Sequence, residues 1–208
     1  MNRALAALAA ALSLLTGCPL PQPLADYPKG TVTPPRILMD SIAYPDPVVA
    51  VPAGCTVTAP SYDLTGTLVD SNTSETVVVR WFVDYDRQNS ARCAPVVPET
   101  PIQGPGDSSS SPTQRAVHPP YHFAPYDHEA VVGTVGTPDA VGAIHVVEMV
   151  VSNNFDTGVD DVALCNPDTP ATTFPFRTPA TSGGVTFETQ TYRWVFVNVE
   201  PSAAVPCP

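Results

Sequence analysis

Residues 76–86 read TVVVRWFVDYD and form the most strand-like segment of the chain. β-branched and aromatic side chains dominate it, and these residue types pack well on a pleated, half-buried surface. Since successive side chains of a strand point to opposite faces, the alternation separates two sets of residues. The even-numbered residues form one set, and we predict that the other set faces the core, namely Val77, Val79, Trp81, Val83 and Tyr85.

Weaker strand patterns flank this segment on both sides. Upstream, residues 36–42 and 48–51 are predicted to form one interrupted strand, and Pro45 and Pro47 between them confine it to a sheet edge. Residues 143–151 are apolar on both faces, which predicts a central strand. Further strands are expected at residues 62–70, where Leu64 and Leu68 share a face, at residues 129–135, and at residues 185–199, where Tyr192, Trp194 and Phe196 oppose Val195, Val197 and Val199.

Prolines and glycines divide the rest of the chain into short pieces. The sequence has 26 Pro and 12 Gly, which leaves little room for long helices. Two connections are long, residues 87–127 and 153–181, and connections of this length are usually functional or disordered. Several short strands without helical periodicity predict an all-β fold, an antiparallel two-sheet sandwich with two long loops.

The N-terminus begins with a short positive region followed by an apolar run. Arg3 precedes apolar residues 4–15, a run too short for a membrane-spanning helix, which needs roughly 20 residues. The run ends in Leu15-Thr16-Gly17-Cys18, with a small residue directly before the cysteine. This ending resembles the lipobox of bacterial lipoproteins. The resemblance implies that residues 1–17 are a signal peptide and that Cys18 carries the lipid; an ordinary secretory signal is the alternative.

The same resemblance implies a place and an anchor for the mature chain. We expect it in the cell envelope, lipid-anchored, and in the outer membrane because Pro19 rather than an aspartate follows Cys18. Residues 18–35 are rich in proline and are predicted to be an extended tether, which at ~3.1 Å per residue would reach about 50 Å. Residues 36–208 are then the folded domain.

The charge of the chain limits its partners. Nine Lys and Arg stand against 20 Asp and Glu, for a net charge of −11. Removal of residues 1–17 makes the chain still more acidic, because Arg3 is their only charged side chain. Nucleic acid and anionic lipid headgroups are recognised by basic patches, so neither is an expected partner. We expect contact with the membrane through the lipid, and a protein or other envelope component as the partner.

Four cysteines follow Cys18, namely Cys55, Cys93, Cys165 and Cys207. An even number of cysteines in an exported chain predicts two disulfides, for which three pairings are possible. Zinc is the other common use of four cysteines, but their spacing contains no C-x-x-C knuckle.

The strand pattern resembles an immunoglobulin-like sandwich, with Trp81 as its core tryptophan. The inter-sheet disulfide of antibody domains is not reproduced, because Cys55 lies outside the second predicted strand. Under the resemblance, Cys55 and Cys93 would emerge at the same end of the sandwich. That arrangement implies a Cys55–Cys93 bond and leaves Cys165 to pair with Cys207.

Carboxylate-rich turns are the candidate metal sites. Oxygen ligands suit calcium, and the densest cluster of them lies in the second long connection at Asp156, Asp160 and Asp161, next to Asn153 and Asn154. Asp84 and Asp86 begin like a calcium loop, but the glycine and the bidentate glutamate of an EF-hand are missing. A histidine cluster is interrupted by prolines and is interpreted as a polar loop; it comprises His118, His122 and His128 with Glu129.

Catalytic motifs are missing from the sequence. It contains no G-x-S-x-G elbow, no S-x-x-K and no phosphate-binding glycine loop, so we expect neither an enzyme nor a cofactor. The leading hypothesis is a non-enzymatic, membrane-anchored module for binding or structural interaction that presents its two long loops to a partner. The alternatives are an exported module that binds calcium or a small ligand, and a hydrolase of envelope polymers, which would need two carboxyl groups converging in a pocket.

Overall fold

The computed structural model describes residues 34–56, 58–72, 75–102, 113–126, 140–168, 170, 172–182 and 184–208. Cys18, most of the predicted tether and the predicted strand at residues 129–135 lie outside them. No helix in the described part of the chain is long and apolar enough to cross a membrane. Its strands are β1 (Arg36–Leu38), β2 (Val48–Pro52), β3 (Tyr62–Leu64), β4 (Thr67–Val69), β5 (Val77–Val83), β6 (Thr100–Ile102), β7 (Gln114–Ala116), β8 (Tyr121–Phe123), β9 (Ile144–Ser152), β10 (Thr181–Ser182), β11 (Val185–Thr186) and β12 (Thr189–Val199). Its helices are the short 3-10 turns η1 (Met39–Ser41), η2 (Thr157–Val159) and η3 (Val162–Leu164).

The largest sheet has five strands in the order β2-β12-β9-β5-β6. β9 lies between β12 and β5, which confirms the prediction of a central strand at residues 143–151. β2 lies at one edge, as Pro45 and Pro47 predicted, but it pairs with β12 in parallel, with Val48 opposite Val195. The prediction of a purely antiparallel sheet is therefore wrong for this strand, while the other strand pairs are antiparallel.

Smaller sheets pack beside the large one, in the order β1-β4-β7 and as the pairs β3-β8 and β10-β11. Two predicted strands are divided between sheets: residues 36–51 into β1 and β2, and residues 62–70 into β3 and β4. At the second division the chain packs tightly, since a Cβ on Gly66 would lie 2.6 Å from Cδ1 of Ile42. The connection predicted at residues 87–127 contains β6, β7 and β8.

The main core lies between one face of the five-stranded sheet, here called the inner face, and two of the smaller sheets, β1-β4-β7 and β3-β8. Trp81 of β5 is its centre and stacks on Trp194 of β12 and on Tyr121 of β8, with ring centroids 5.8 Å and 5.1 Å away. Other buried members come from several sheets, namely Val51, Leu64, Leu68, Val77, Val79, Phe123, Val147, Met149, Val151 and Phe196. The fold is therefore all-β and layered, as a β-sandwich is.

β5 is buried on both faces. Val77, Val79, Trp81 and Val83 join the main core as predicted. Tyr85 does not, because Asp84 has a φ of 49° that breaks the alternation, and its ring packs against Phe82 instead. On the opposite, outer face a second apolar cluster forms from Val78, Phe82, Val150 and Phe155, with Tyr85 and Phe176 packed against it. The connection between β9 and β10 covers this part of the outer face.

The two disulfides join Cys55 to Cys207 and Cys93 to Cys165. Two disulfides are as predicted, but the pairing expected from the immunoglobulin resemblance is wrong. β2 and β5 both run parallel to β12, so Cys55 and Cys93 do follow strands that end at the same end of the sheet. β12 and β9 lie between those strands, which separates them by about 14 Å at roughly 4.8 Å per strand. Cys55 instead meets the tail that follows β12.

Candidate functional site

A cleft of about 1000 Å³ opens on the outer face of the five-stranded sheet. Its floor comes from β9 and β12, and its wall is residues 172–179 of the connection between β9 and β10. The side chains that give it its character are Tyr85, Glu148, Phe174, Arg177, Arg193 and Val195. Cavities of this size are typical of small-ligand sites, so this cleft is the candidate functional site.

Glu148 organises the floor of the cleft. It lies on β9 in register with Arg193 of β12 on one side and Phe82 of β5 on the other. Its side chain is only 4% exposed, and its Oε1 accepts the Nε–H of Arg193. Its Oε2 accepts a hydrogen bond of 2.6 Å from Arg177 in the wall. One buried carboxylate thus positions two guanidinium groups, and charge-assisted hydrogen bonds of this kind are the strong ones.

Arg177 also fixes the wall to the sheet through aromatic contacts. Its guanidinium lies 4.6 Å from the ring centroid of Tyr85 and 5.4 Å from that of Phe82, which is within cation–π range. The hydroxyl of Tyr85 donates a 3.0 Å hydrogen bond to the carbonyl of Pro175 in the wall. Burial raises the pKa of Tyr85, although the nearby charge of Arg177 opposes the shift. Tyr85 therefore acts as a neutral donor that holds the wall.

Arg80 makes a second link between the sheet and its covering segment. It lies buried on β5 and donates to Asp160 at 2.8 Å and 2.6 Å, to Glu99 at 2.8 Å and 2.5 Å, and to the carbonyl of Phe176 at 2.7 Å. Its guanidinium also lies 4.1 Å from the ring centroid of Phe155. Since Asp160 and Phe176 belong to the connection, Arg80 holds that connection against the sheet.

Asp84 lines the cleft where β5 ends. Its Oδ2 lies 2.8 Å from Nδ1 of His145, and its Oδ1 accepts a 2.7 Å hydrogen bond from the backbone of Val146. Asp86, the other acid of the weak calcium pattern, accepts from the backbone of Gln88 in a turn. Both carboxylates therefore shape the chain after β5.

The predicted calcium residues do not converge. Asp156 caps η2 by accepting from the backbone of Gly158, Asp161 caps η3 by accepting from that of Ala163, and Asp160 is held by Arg80. Among the described residues there is no group of three or more His, Cys, Asp or Glu that could hold a metal ion. Of the histidine cluster, His122 lies 2.9 Å from Asp63 on the surface, while His128 and Glu129 lie outside the described residues.

An apolar strip extends the cleft along the sheet. Val146 and Val195 line the cleft and are paired across β9 and β12. Val195 is also paired with Val48 of β2. Ile144 precedes Val146 by two residues on β9 and therefore lies on the same face. Ile144 is 57% exposed and Val48 is 53% exposed. Exposed apolar side chains that adjoin one another mark interaction surfaces more often than scattered ones do.

Glu148, Arg177 and Arg193 were not predicted as site residues from the sequence. The signals that point to two of them are an acid inside the buried strand IHVVEMVVS and an arginine inside the alternating strand TQTYRWVFVNV. Buried acids are rare unless paired, so Glu148 implies a partner, but only the register of the sheet shows which one. No protein-family model, no curated protein and no solved structure matches the chain.

Proposed function

We propose that the protein is a non-enzymatic binding module of the cell envelope, held at the membrane by a lipid on Cys18 and spaced from it by residues 18–35. The observation that carries the binding role is the cleft on the outer face, with Arg193 and Phe174 exposed at its surface. Binding residues commonly lie on connections that a rigid scaffold positions. Here the connection lies on a five-stranded sheet.

The rigidity of the cleft supports this role. Its wall is attached to the sheet through Arg177, Tyr85 and Arg80, and the Cys93–Cys165 disulfide ties the same connection to the loop after β5. A site that is formed before the ligand arrives loses less conformational entropy on binding. The many contacts of the wall therefore favour recognition of a ligand with a defined shape.

A hydrolase is the alternative that the cleft allows geometrically, because Asp84 and Glu148 both line it. Glu148, however, is 4% exposed and bonded to two arginines, and Asp84 is bonded to His145 and to the backbone of Val146. A general acid or base must reach the proton that it transfers. Both carboxylates are engaged in holding the cleft together, which favours binding over hydrolysis.

The anchor rests on the lipobox residues Leu15-Thr16-Gly17-Cys18. Each buried methylene contributes about 0.8 kcal/mol, so two or three acyl chains are enough to hold a protein at a membrane. The mass of the N-terminal peptide from membrane-fraction protein tests this directly. A peptide that begins at an acylated Cys18 supports the anchor, and an unmodified start elsewhere would contradict it.

For the fold we propose, more specifically, an immunoglobulin-like sandwich. The buried Trp81 on a strand of the larger sheet supports this assignment. The parallel pairing of β2 with β12 and the disulfide pattern would have to be accommodated within it. A strand-by-strand comparison of connectivity with immunoglobulin-like domains would test it.

A capture experiment tests the binding role. Full-length protein purified from membranes in detergent is used as bait in envelope extracts, beside a heat-denatured control. Phe174→Ser truncates a cleft residue that is 47% exposed, and Met39→Ser truncates a residue that is 61% exposed and lies on η1. We expect specific capture that Phe174→Ser abolishes and Met39→Ser preserves. Capture no greater than that of the denatured control would refute the proposal.

A further inference from the structure

Arg193 has hydrogen-bonding capacity that the protein does not use. Its side chain is 63% exposed and donates its Nε–H to Glu148. Within the described residues, its two terminal nitrogens have no hydrogen-bond partner. A guanidinium has five N–H donors in a fixed planar fork, and the outer edge of that fork matches the two oxygens of a carboxylate. Glu148 thus fixes the direction of the side chain and leaves that edge free.

The local charge leaves room for one anion at Arg193. Glu148 is bonded to both Arg177 and Arg193, and the two arginines balance the two acids that line the cleft, Glu148 and Asp84. In a chain with a net charge of −11, the cleft is therefore less negative than the chain as a whole. A singly charged anion on the outer edge of Arg193 adds the least repulsion to this balance. A doubly charged phosphate would meet repulsion from Glu148 and from Asp84, which lines the same cleft.

An apolar surface lies beside the free edge of Arg193. Val195 follows on the same face of β12, about 7 Å along the strand, and is paired with Val146. Phe174, which is 47% exposed, stands in the wall. A ligand whose charge lies at Arg193 would therefore place its body against valine and phenylalanine side chains.

We infer that the cleft binds an organic monocarboxylate with an apolar body, its carboxylate bound end-on by the two terminal nitrogens of Arg193 and its body packed on Val195, Val146 and Phe174. This inference rests on the proposed binding role of the cleft and specifies its ligand. The carboxylate belongs to a small molecule or to the C-terminus of a peptide, because both carry the same chemistry.

The test compares three carboxylates with their uncharged amides, by calorimetric titration of the full-length protein in detergent. The probes are phenylacetate, octanoate and N-acetyl-L-phenylalanine; the last represents a peptide C-terminus. We expect at least one acid to bind, its amide to bind about tenfold more weakly or worse, and added salt to weaken the acid alone. Arg193→Gln should reduce binding of the acid by a similar factor. Arg36→Gln, which removes an exposed arginine of β1, is the control with the same charge change and should have no effect.

Each other result would overturn the inference. Equal affinity for acid and amide, unchanged affinity in Arg193→Gln, or no binding of any acid by folded protein would each reject a carboxylate ligand at Arg193. Circular dichroism of Arg193→Gln shows whether that variant is folded. If no carboxylate binds but envelope capture still depends on Phe174, the binding role stands and only this ligand class is rejected. If neither the titration nor the envelope capture shows binding, the proposed function is rejected as well.

Discussion

Cys93, in the loop after β5, is bonded to Cys165, directly after η3, and their Cα atoms are 6.2 Å apart. The bond joins the connection that forms the wall of the cleft to the loop that follows β5. The other disulfide, between Cys55 and Cys207, instead holds the C-terminal tail against the loop after β2. Only the Cys93–Cys165 bond therefore holds the wall of the candidate site.

The first prediction compares the effects of removing each of the two disulfides. Replacing Cys93 and Cys165 by serine should lower the free energy of unfolding by about 2 to 4 kcal/mol and should weaken hydrogen-exchange protection in residues 172–179. Replacing Cys55 and Cys207 should also lower stability but should leave protection of the wall unchanged. Urea unfolding and hydrogen exchange measure the two effects. Equal loss of wall protection in both variants would contradict the assigned role of the Cys93–Cys165 bond.

The second prediction concerns Arg80, which joins Asp160, Glu99 and the carbonyl of Phe176. Arg80→Met keeps the length of the side chain and removes its charge, leaving buried acceptors without a donor. Removing one partner from a buried ion pair costs about 3 to 5 kcal/mol, and the exposure of Glu99 places this variant at the lower end. Urea unfolding should show this loss, while the surface variant Arg36→Met should stay within about 0.5 kcal/mol of wild type. Similar stabilities for the two variants would show that Arg80 does not hold the connection.

The alternation of side chains along each strand and the even number of cysteines predicted the parts of the fold that depend on local sequence. The pattern at residues 76–86 predicted β5 and was correct for four of the five core residues it named, and the pattern at residues 143–151 predicted the central strand β9. Tyr85 was misplaced because a single positive φ at Asp84 reverses the faces after it, and Asp is among the few residues that adopt this conformation readily. The parity of the cysteines predicted two bonds, but pairing depends on the order of strands across the sheet.

The candidate site could not be predicted from the sequence, because it too depends on how the strands are ordered and paired across the sheet. Glu148, Arg193 and Arg177 are far apart in the chain, and they meet because β9 and β12 pair in one particular register and a connection returns over them. The aspartates of the predicted calcium site at residues 156–161 serve as caps of η2 and η3 and as a partner of Arg80. Their density reflects the local needs of two short turns, since Asp is favoured at helix N-termini.

The third prediction follows from Tyr121, whose ring stacks on Trp81. Burial raises the pKa of Tyr121 to about 12, above its ordinary value of 10.0. A group whose pKa is raised by folding contributes stability that is present below its unfolded pKa and is lost as the pH rises through the folded value. The protein should therefore lose stability above pH 10, and Tyr121→Phe should lose less of it. Urea unfolding at neutral pH and at about pH 11 measures this loss of stability in wild type and in Tyr121→Phe. Tyr62, with a pKa also raised to about 12 chiefly by burial, should keep some pH dependence in the variant.

The last prediction concerns Asp84, which combines a φ of 49° with hydrogen bonds to His145 and to the backbone of Val146. Asp84→Ala should cost about 2 to 4 kcal/mol, because alanine tolerates this conformation poorly and the partly buried N–H of Val146 loses its acceptor. Asp84→Asn should cost less, because asparagine adopts positive φ readily and its amide oxygen still accepts from Val146. Asp84→Gly relieves the backbone strain but restores no acceptor, so its stability should fall between those of the other two variants. This ranking, measured by urea unfolding, separates the backbone effect from the hydrogen bond. If glycine were as stable as asparagine, the side chain of Asp84 would matter only through its backbone conformation.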